Sequence, residues 1–313
     1  MASAITYSAL GGPEVLTLTE IDVPAPGSGE VAVRVEAAGV NPLDLKLRAG
    51  VRPSPPITQP RRVGFDGAGV VTAVGDDVDG LRVGDAVAIA GATGVYASEI
   101  VVPASTLTPR PSSVSADTAA ALGIPAGTAY QTLRSLAVTD RDTVLVHAGS
   151  GAVGQLIIQF ATLWGARVIA TSSRRRAQRV ERLGAVPVEY GEGLSDRVRA
   201  AAPQAVSVAI DAAGTDEALA SSLELVADRS RIVTLVRGAD AAGLGIVAFS
   251  GGSPQPLTSA QLALRAEAMP VSLQLLAAGA LDVELGPRFA LADAAEAHRA
   301  VADGVTGKVV LVP

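Results

Sequence analysis

The chain has 313 residues and a formal net charge of −6, and it contains no cysteine. Hydrophobic residues make up 49% of it and charged residues 18%, which predicts an ordered protein of two domains with aliphatic cores. The acidic balance argues against a binder of duplex nucleic acid. The lack of cysteine excludes disulfides and thiolate metal ligands.

The N-terminus MASAITYSALGGPEV has no basic segment followed by an apolar run, so no signal peptide is predicted. No uninterrupted apolar run reaches the length of about 18 residues that spans a membrane. We therefore expect a cytoplasmic protein that does not bind membranes.

The first 110 residues are predicted to form short strands separated by glycine and proline. The predicted strands are 31–40, 68–75, 84–91 and 96–103. No long helical period occurs there, which favours an antiparallel barrel or sandwich. From Ser115 the sequence becomes rich in alanine and leucine with helical spacing.

From Asp142 onward strands and helices alternate. The predicted strands are 142–148, 166–171, 205–213 and 230–236, and the predicted helices are 151–165, 174–184 and 216–226. Near-continuous apolar strands alternating with helices are typical of βαβ units and a parallel sheet. The stretch 289–313 is predicted to be a helix followed by a final strand.

The segment G149-S-G151-A-V-G154 matches G-x-G-x-x-G, directly after an apolar strand and at the start of a helix. In such a turn Gly149 permits the tight bend, Gly151 lets a pyrophosphate approach the backbone, and Gly154 lets the helix lie close to the strand. The helix N-terminus also attracts phosphates. The sequence therefore predicts a dinucleotide-binding turn.

The segment TSSRRRAQR (171–179) favours NADPH over NADH as the dinucleotide. An NAD site has an acidic residue near this point, whereas no acid occurs between Gly154 and Glu181. Three arginines in a first helical turn oppose the helix dipole, which suggests a functional reason for them. A 2′-phosphate would neutralise them and accept hydrogen bonds from Ser172 or Ser173. The alternative is a solvated basic face.

Three further polar residues are predicted to be structural. His147 ends a buried strand and is interpreted as a core residue rather than a catalyst. His298 is expected at the surface or in packing between elements. Asp44 is expected to hold the NPLD turn.

Several motifs together carry a family resemblance. They are YSALGGPEVL (7–16), VNPLDLKLRAG (40–50), GFDGAGVVTAVGDDVDGLRVGDAVA (64–88), PAGTAYQTL (125–133), the glycine turn and GKVVLV (307–312). The chain resembles, over its full length, the zinc-independent quinone oxidoreductases of the medium-chain dehydrogenase/reductase superfamily, which include zeta-crystallin and enone reductases. The resemblance implies a Rossmann doubly wound parallel sheet (123–261) inserted in a GroES-like β-barrel domain (1–122 plus 262–313), with a cleft between the domains and commonly a homodimer.

The resemblance also bears on metal binding. Zinc-dependent relatives carry a cysteine where this chain has Asn41 and a His-Glu pair where it has Phe65-Asp66. The chain has only two histidines, in separate segments, and a catalytic zinc usually takes three protein ligands. We therefore expect no metal.

The resemblance implies roles for individual residues. The pyrophosphate would contact Ser150, Gly151, Ala152 and Val153, and the adenosine end would contact Ser173, Arg174, Arg176 and Tyr190. The nicotinamide half would lie near Ala213, Gly214, Val236, Arg237 and Phe249, and, from the other domain, near Asn41, Lys46 and Thr128.

The expected reaction is hydride transfer from NADPH to a quinone or to the β-carbon of an enone. Asn41 or Lys46 is a candidate hydrogen-bond donor to the developing oxyanion. Tyr130 is a candidate proton donor, with a core role as the alternative. Relatives often have a tyrosine at Lys46 and an aromatic residue near Arg52, so this chain has a more basic and less aromatic pocket mouth. An NADPH-binding structural or sensor protein with negligible turnover remains the alternative function.

Overall fold

The computed structural model describes residues 1–52, 54–249 and 255–313. The chain divides into two compact units, Met1–Ile124 with Met269–Pro313 and Pro125–Ala268. The domain limits expected from the resemblance stay a prediction. Within the described ranges, no helix combines the length and apolar character needed to cross a membrane.

The strands and helices follow one another along both units. The strands are β1 (Ala2–Tyr7), β2 (Thr17–Ile21), β3 (Glu30–Gly39), β4 (Arg61–Arg62), β5 (Asp66–Val74), β6 (Ala86–Ala90), β7 (Glu99–Pro103), β8 (Leu107–Pro109), β9 (Thr143–His147), β10 (Arg167–Ser172), β11 (Val186–Glu189), β12 (Val208–Asp211), β13 (Ile232–Thr234), β14 (Val247–Ala248), β15 (Leu285–Ala290) and β16 (Lys308–Val312). The helices are α1 (Pro42–Arg48), α2 (Ala116–Ala120), α3 (Gly123–Ser135), α4 (Ala152–Leu163), α5 (Ala177–Arg182), α6 (Leu194–Ala201), α7 (Asp216–Leu225), α8 (Gly238–Leu244), α9 (Ser259–Ala277) and α10 (Ala294–Ala302).

The first unit is built around β3, its long central strand. This strand pairs antiparallel with β5 along one edge, and with β7 and then β16 along the other. The sheet runs in the order β15-β16-β3-β5-β6-β8, and a second, small sheet runs β2-β1-β4. Val33, Ile89, Tyr96 and Ile100 are buried in its aliphatic core. The mainly antiparallel architecture predicted for the first 110 residues is confirmed.

The second unit contains one parallel sheet in the order β11-β10-β9-β12-β13-β14. Every pairing in it is parallel. This is the strand order of a dinucleotide-binding Rossmann sheet, in which ligands bind outside the carboxyl ends of the strands. All five residues of β9 are buried, as its continuous apolar sequence predicts. The predicted doubly wound parallel sheet is confirmed.

Some local expectations are corrected by the structure. The segment 174–184 begins with a single 3-10 turn, Arg174–Arg176, before α5 starts. Phe289 belongs to β15, so the helix expected from residue 289 begins only at Ala294. Thr128 lies in the second unit, Pro125–Ala268.

Candidate functional site

The glycine turn joins β9 to α4 and is fastened to the neighbouring strand β10. The backbone N–H of Ala148 donates to Thr171 Oγ1 at 3.1 Å, and that of Gly149 donates to the Thr171 carbonyl at 2.9 Å. Ala148, with φ of 57°, takes the left-handed conformation of the turn. Gly149 is required for a different reason, since a Cβ there would lie 2.6 Å from Ala170 Cβ.

The other two glycines of the motif differ in their surroundings. A Cβ on Gly154 would lie 2.3 Å from the Ala148 carbonyl oxygen, so the helix lies against the turn at this point. A Cβ on Gly151 would meet only that same oxygen, at 3.4 Å, so the space in front of Gly151 is open. The first N–H groups of α4, which begins directly after Gly151, have no partner within the helix, and free N–H groups at a helix start fit a pyrophosphate.

Two buried residues that the sequence did not reveal support the turn from behind. Gln155 Nε2 donates to the Ser150 carbonyl at 2.8 Å, and Gln155 Oε1 accepts from Arg179 Nε at 2.8 Å. Glutamine and arginine side chains are seldom buried to this degree in soluble proteins. The sequence feature that could have revealed Gln155 is its polar side chain in the largely apolar helix sequence GAVGQLIIQF.

The predicted 2′-phosphate end follows β10. Ser172 is buried and donates its hydroxyl to the Ser173 carbonyl at 3.2 Å. The Arg174 side chain is 89% exposed, and its Nε lies 3.7 Å from Glu189 Oε2. Glu189 stands opposite Ser172 in the strand register. Because exposed ion pairs contribute about 0–1 kcal/mol, this contact leaves Arg174 able to exchange Glu189 for a phosphate.

Tyr190 follows Glu189 and is 56% exposed. Its exposed ring lies next in sequence to the residue that pairs with Arg174, so its predicted contact with the adenosine end is sterically open.

A buried carboxylate, Asp211, organises the loop after β12. Its Oδ1 accepts from the backbone N–H groups of Ala213 at 2.9 Å and Gly214 at 2.7 Å. Its Oδ2 accepts from Thr234 Oγ1 at 2.8 Å. Gly214 has a φ of 72° and a Cβ there would lie 2.5 Å from Val236 Cγ1. The loops after β12 and β13 are therefore held together.

Thr234 continues this arrangement into the loop after β13. Its Oγ1 accepts from the N–H groups of Val236 at 3.2 Å and Arg237 at 2.9 Å, and its carbonyl accepts from the N–H of Phe249 at 3.2 Å. Arg237 forms ion pairs with Asp216 and Asp240. Five predicted site residues thus lie at one edge of the sheet: Ala213, Gly214, Val236, Arg237 and Phe249.

The first unit contains a buried polar group that we call the Asn41 cluster: Asn41, Asp44, Asp66, Tyr96 and Lys308. Asn41 Nδ2 donates to Asp66 Oδ2 at 2.9 Å, and Asn41 Oδ1 accepts from Lys308 Nζ. Asp66 Oδ2 also accepts from the Ile124 N–H at 2.8 Å. Sequence reasoning did not find Lys308, which lies 267 positions from Asn41.

Asp44 caps α1 from within the same cluster. Its Oδ2 accepts from the Asn41 N–H at 2.8 Å and from the Tyr96 hydroxyl at 2.9 Å. Burial raises the pKa of Asp44 to about 7, although these two hydrogen bonds act in the opposite direction. Burial also lowers the pKa of Lys308, against the pull of Asp66 and Asp44. The structural role expected for Asp44 is confirmed.

The three candidate catalytic residues have different surroundings. Both N–H groups of Asn41 Nδ2 are directed at protein oxygens, those of Asp66 and, at 3.4 Å, Gly39. Lys46 is half-buried. The Tyr130 hydroxyl donates to Glu267 Oε2 at 3.2 Å. Its ring packs edge-on against two aromatic rings, those of Phe160 and Trp164. The catalytic roles stay predictions.

Thr128, predicted beside the nicotinamide, accepts a hydrogen bond within the second unit. Arg265 Nη2 donates to Thr128 Oγ1 at 2.9 Å. Thr128 itself is buried, so its hydroxyl is oriented by a charged donor.

The two histidines are both buried. His147 Nε2 lies 3.1 Å from Ser222 Oγ, and burial lowers its pKa to about 4; its predicted core role is confirmed. His298 is fully buried and edge-on to the Tyr96 ring. The surface alternative for His298 is therefore wrong and packing between elements is confirmed. Among the described residues no three His, Asp or Glu side chains form a group suited to a metal ion.

Comparisons with known proteins agree with this architecture. The family model of the alcohol dehydrogenase GroES-like domain matches residues 27–112, and that of the zinc-binding dehydrogenases matches residues 152–244. The quinone oxidoreductases of Pseudomonas aeruginosa and Salmonella typhimurium are 34% and 32% identical over the whole of both chains.

Two solved structures extend the comparison to three dimensions. The quinone oxidoreductase of Pseudomonas syringae is 33% identical with a TM-score of 0.84 and full coverage of both chains. The Escherichia coli quinone oxidoreductase, solved in complex with NADPH, is 26% identical with a TM-score of 0.83, over 99% of this chain and 100% of that one.

Proposed function

The chain belongs to the quinone oxidoreductases of the medium-chain dehydrogenase/reductase superfamily, and we propose that it is an NADPH-dependent, zinc-independent reductase of quinones or α,β-unsaturated carbonyl compounds. The observation that carries this proposal is the glycine turn followed by three arginines. The turn leaves an open approach at Gly151, and no acid lies between Gly154 and Glu181 to bind a free ribose 2′-hydroxyl. The Escherichia coli quinone oxidoreductase was solved in complex with NADPH, which supports NADPH as the cofactor of this chain.

Bound NADPH supplies a hydride at C4 of its nicotinamide. The chain's own residues hold and orient the reactants. The amides of Ser150 to Val153 bind the pyrophosphate, Ser173, Arg174 and Arg176 bind the 2′-phosphate, and Tyr190 contacts the adenosine end. The loops fixed by Asp211 and Thr234 border the nicotinamide half.

The proposal has three candidate donors to the oxygen that gains charge: Asn41, Lys46 and Tyr130. Lys46 is a stronger candidate than Asn41 because the amide N–H groups of Asn41 already donate to Asp66 and Gly39.

The test is NADPH oxidation, followed by absorbance, with ortho-quinones, para-quinones and enones as acceptors. We expect turnover with at least one acceptor and a preference for NADPH over NADH. Tight NADPH binding with no turnover on any acceptor would contradict the proposal and favour a structural or sensor role. Lys46→Ala and Tyr130→Phe, assayed on the best acceptor, test the donors: an unchanged kcat removes that residue from the catalytic role.

We also propose that the protein is cytoplasmic and forms a homodimer. The proposed reaction consumes NADPH, which the cytoplasm maintains. In the described part of the second unit, β14 is the last strand of its sheet and pairs on one side only, with β13, and an open strand edge is suited to pairing with a second copy. Cell fractionation tests the location, and light scattering after gel filtration tests the dimer: a monomer mass across micromolar concentrations contradicts it.

A further inference from the structure

One segment of the first unit carries positive charge without acidic residues. Between Asp44 and Asp66 there is no aspartate or glutamate, although the whole chain has 31 acidic residues and 25 basic ones. The basic residues of this segment are Lys46, Arg48, Arg52, Arg61 and Arg62. The two flanking acids belong to the Asn41 cluster and are buried.

Three of the five cations are held by uncharged oxygens. Arg48 Nη1 donates to the Gly11 carbonyl at 2.8 Å, Arg62 Nη2 to the Gly94 carbonyl at 2.9 Å, and Arg61 Nη1 to Ser54 Oγ at 2.8 Å. These bonds fix the guanidinium groups without an ion pair to a described acid, although Glu14 favours the charged form of Arg48 from a longer distance. The segment therefore keeps a positive field around its other two cations.

Those two cations, Lys46 and Arg52, have no side-chain hydrogen bond or ion pair with any described residue. Both are half-buried. The N–H of Arg52 donates to the Lys46 carbonyl at 3.3 Å, so the two residues lie side by side on the backbone. A partly buried cation is unfavourable without a counter-charge, and no described acid forms an ion pair with Lys46 or Arg52.

We propose that Lys46 and Arg52 form an anion-recognition subsite, and that the preferred acceptor is a quinone or enone that carries a carboxylate. This inference rests on the proposed function. Arginine presents a planar fork suited to a carboxylate, and lysine adds a point charge beside it. In the reaction the acceptor gains the hydride of NADPH and a proton from water, giving a hydroquinone or a saturated carbonyl compound and NADP⁺, while the carboxylate is unchanged.

The experiment compares two acceptors that differ only in charge: a para-benzoquinone with a propanoate side chain and its methyl ester. The quantity measured is kcat/KM for the acid divided by kcat/KM for the ester, at low ionic strength. We expect a ratio of about ten or more in the wild type, as a charge-assisted hydrogen bond supplies. Raising the salt concentration should lower the ratio, because the subsite is only partly buried.

Arg52→Met should lower this ratio toward one by reducing turnover of the acid more than of the ester, whereas Lys46→Met, which also removes a proposed donor to the acceptor oxygen, should lower turnover of both compounds. Arg82→Met, which removes an exposed arginine of the same unit, is the matched control and should keep the wild-type ratio. Because each value is a ratio within one protein, a general loss of activity or folding does not imitate the effect.

A wild-type ratio near one, or an Arg52→Met protein that loses acid and ester turnover equally, would overturn the subsite. Turnover of neither compound, nor of any uncharged quinone or enone, would overturn the proposed function and the inference with it. Turnover of the ester therefore distinguishes a failure of the anion subsite from a failure of the proposed reductase function.

Discussion

At the scale of single residues, Lys308 links the last strand of the chain to the Asn41 cluster. It is 6% exposed and donates to Asn41 Oδ1, and Asp66 and Asp44 both favour its charged form. A buried ammonium is tolerated only with such partners. In turn, the positive charge of Lys308 favours the ionised form of Asp44.

We therefore predict that Lys308→Met lowers the free energy of unfolding by about 1–3 kcal/mol, because the buried Asn41 Oδ1 loses its donor. Lys308→Arg, which keeps the charge, should lose less. Urea denaturation measures both, with Arg82→Met as a surface control within about 0.5 kcal/mol of the wild type. A Lys308→Met protein as stable as this control would show that the cluster does not need the cation.

The arginines after β10 give a second prediction at this scale. Arg174→Glu combined with Arg176→Glu should raise the KM for NADPH at least about tenfold, since two charge-assisted contacts to the 2′-phosphate are replaced by repulsion. The KM for NADH should change little. Arg182→Glu, an exposed position in the last turn of α5, is the control. Equal changes for the two cofactors would contradict the 2′-phosphate assignment.

At the scale of elements, the glycine turn separates a structural glycine from a ligand-facing one. Gly154→Ala places a methyl group against the Ala148 carbonyl, whereas Gly151→Ala meets no atom closer than 3.4 Å. We predict that Gly154→Ala lowers Tm, because backbone must move to admit the methyl group. Gly151→Ala should keep Tm and weaken NADPH binding, because its methyl group occupies the path of the pyrophosphate. Thermal unfolding and fluorescence titration with NADPH measure the two effects, and a Gly151→Ala protein with wild-type affinity would contradict the placement of the pyrophosphate.

Elements with one strong local signal were predictable from the sequence. Strands β9 and β10 each contain an uninterrupted apolar stretch, VLV and VIA, and α4 follows a recognisable turn. In contrast, β2 has no buried residue in its sequence TLTEI, so no alternation marks it, and α1 has only seven residues, too few to show a helical period. Its start is fixed by the capping contact of Asp44 with Asn41.

The supporting residues of the site were less accessible to sequence reasoning than its ligand-facing ones. Gly149 was expected to provide the bend, but Ala148 adopts the left-handed conformation and Gly149 avoids Ala170. Asp211 and Thr234 contact each other across neighbouring strands, and Lys308 contacts Asn41 at the start of α1, so these contacts exist only once the units have folded. A single sequence contains the side chains of these contacts but not their pairing.

At the scale of the whole molecule, buried ionisable groups set opposing dependences of stability on pH. Burial lowers the pKa of His147 to about 4 and that of His298 to about 3. The ordinary histidine pKa is about 6.5. Between this value and the lowered pKa values, the two histidines are protonated in the unfolded chain but not in the folded chain, so stability falls as the pH falls. Asp44, with its pKa raised to about 7, acts oppositely: the folded chain retains a proton that the unfolded chain loses, so stability falls as the pH rises toward 7.

His298 allows one of these contributions to be isolated, because neither of its ring nitrogens has a hydrogen-bond partner among the described residues. Besides burial, the nearby Arg48 guanidinium disfavours its protonation. His298→Leu removes the titrating group without breaking a hydrogen bond.

Relative to the wild type, we predict that the His298→Leu variant gains about 2 kcal/mol of unfolding free energy between pH 8 and pH 5, since an unfolded histidine is largely protonated at pH 5. Urea denaturation at the two pH values measures this difference directly, and any loss of packing cancels because it is the same at both. His147→Leu should show the same pH-dependent gain above a lower baseline, because it also breaks the contact with Ser222. A His298→Leu protein whose stability difference from the wild type is constant with pH would show that the folded chain admits the proton at His298.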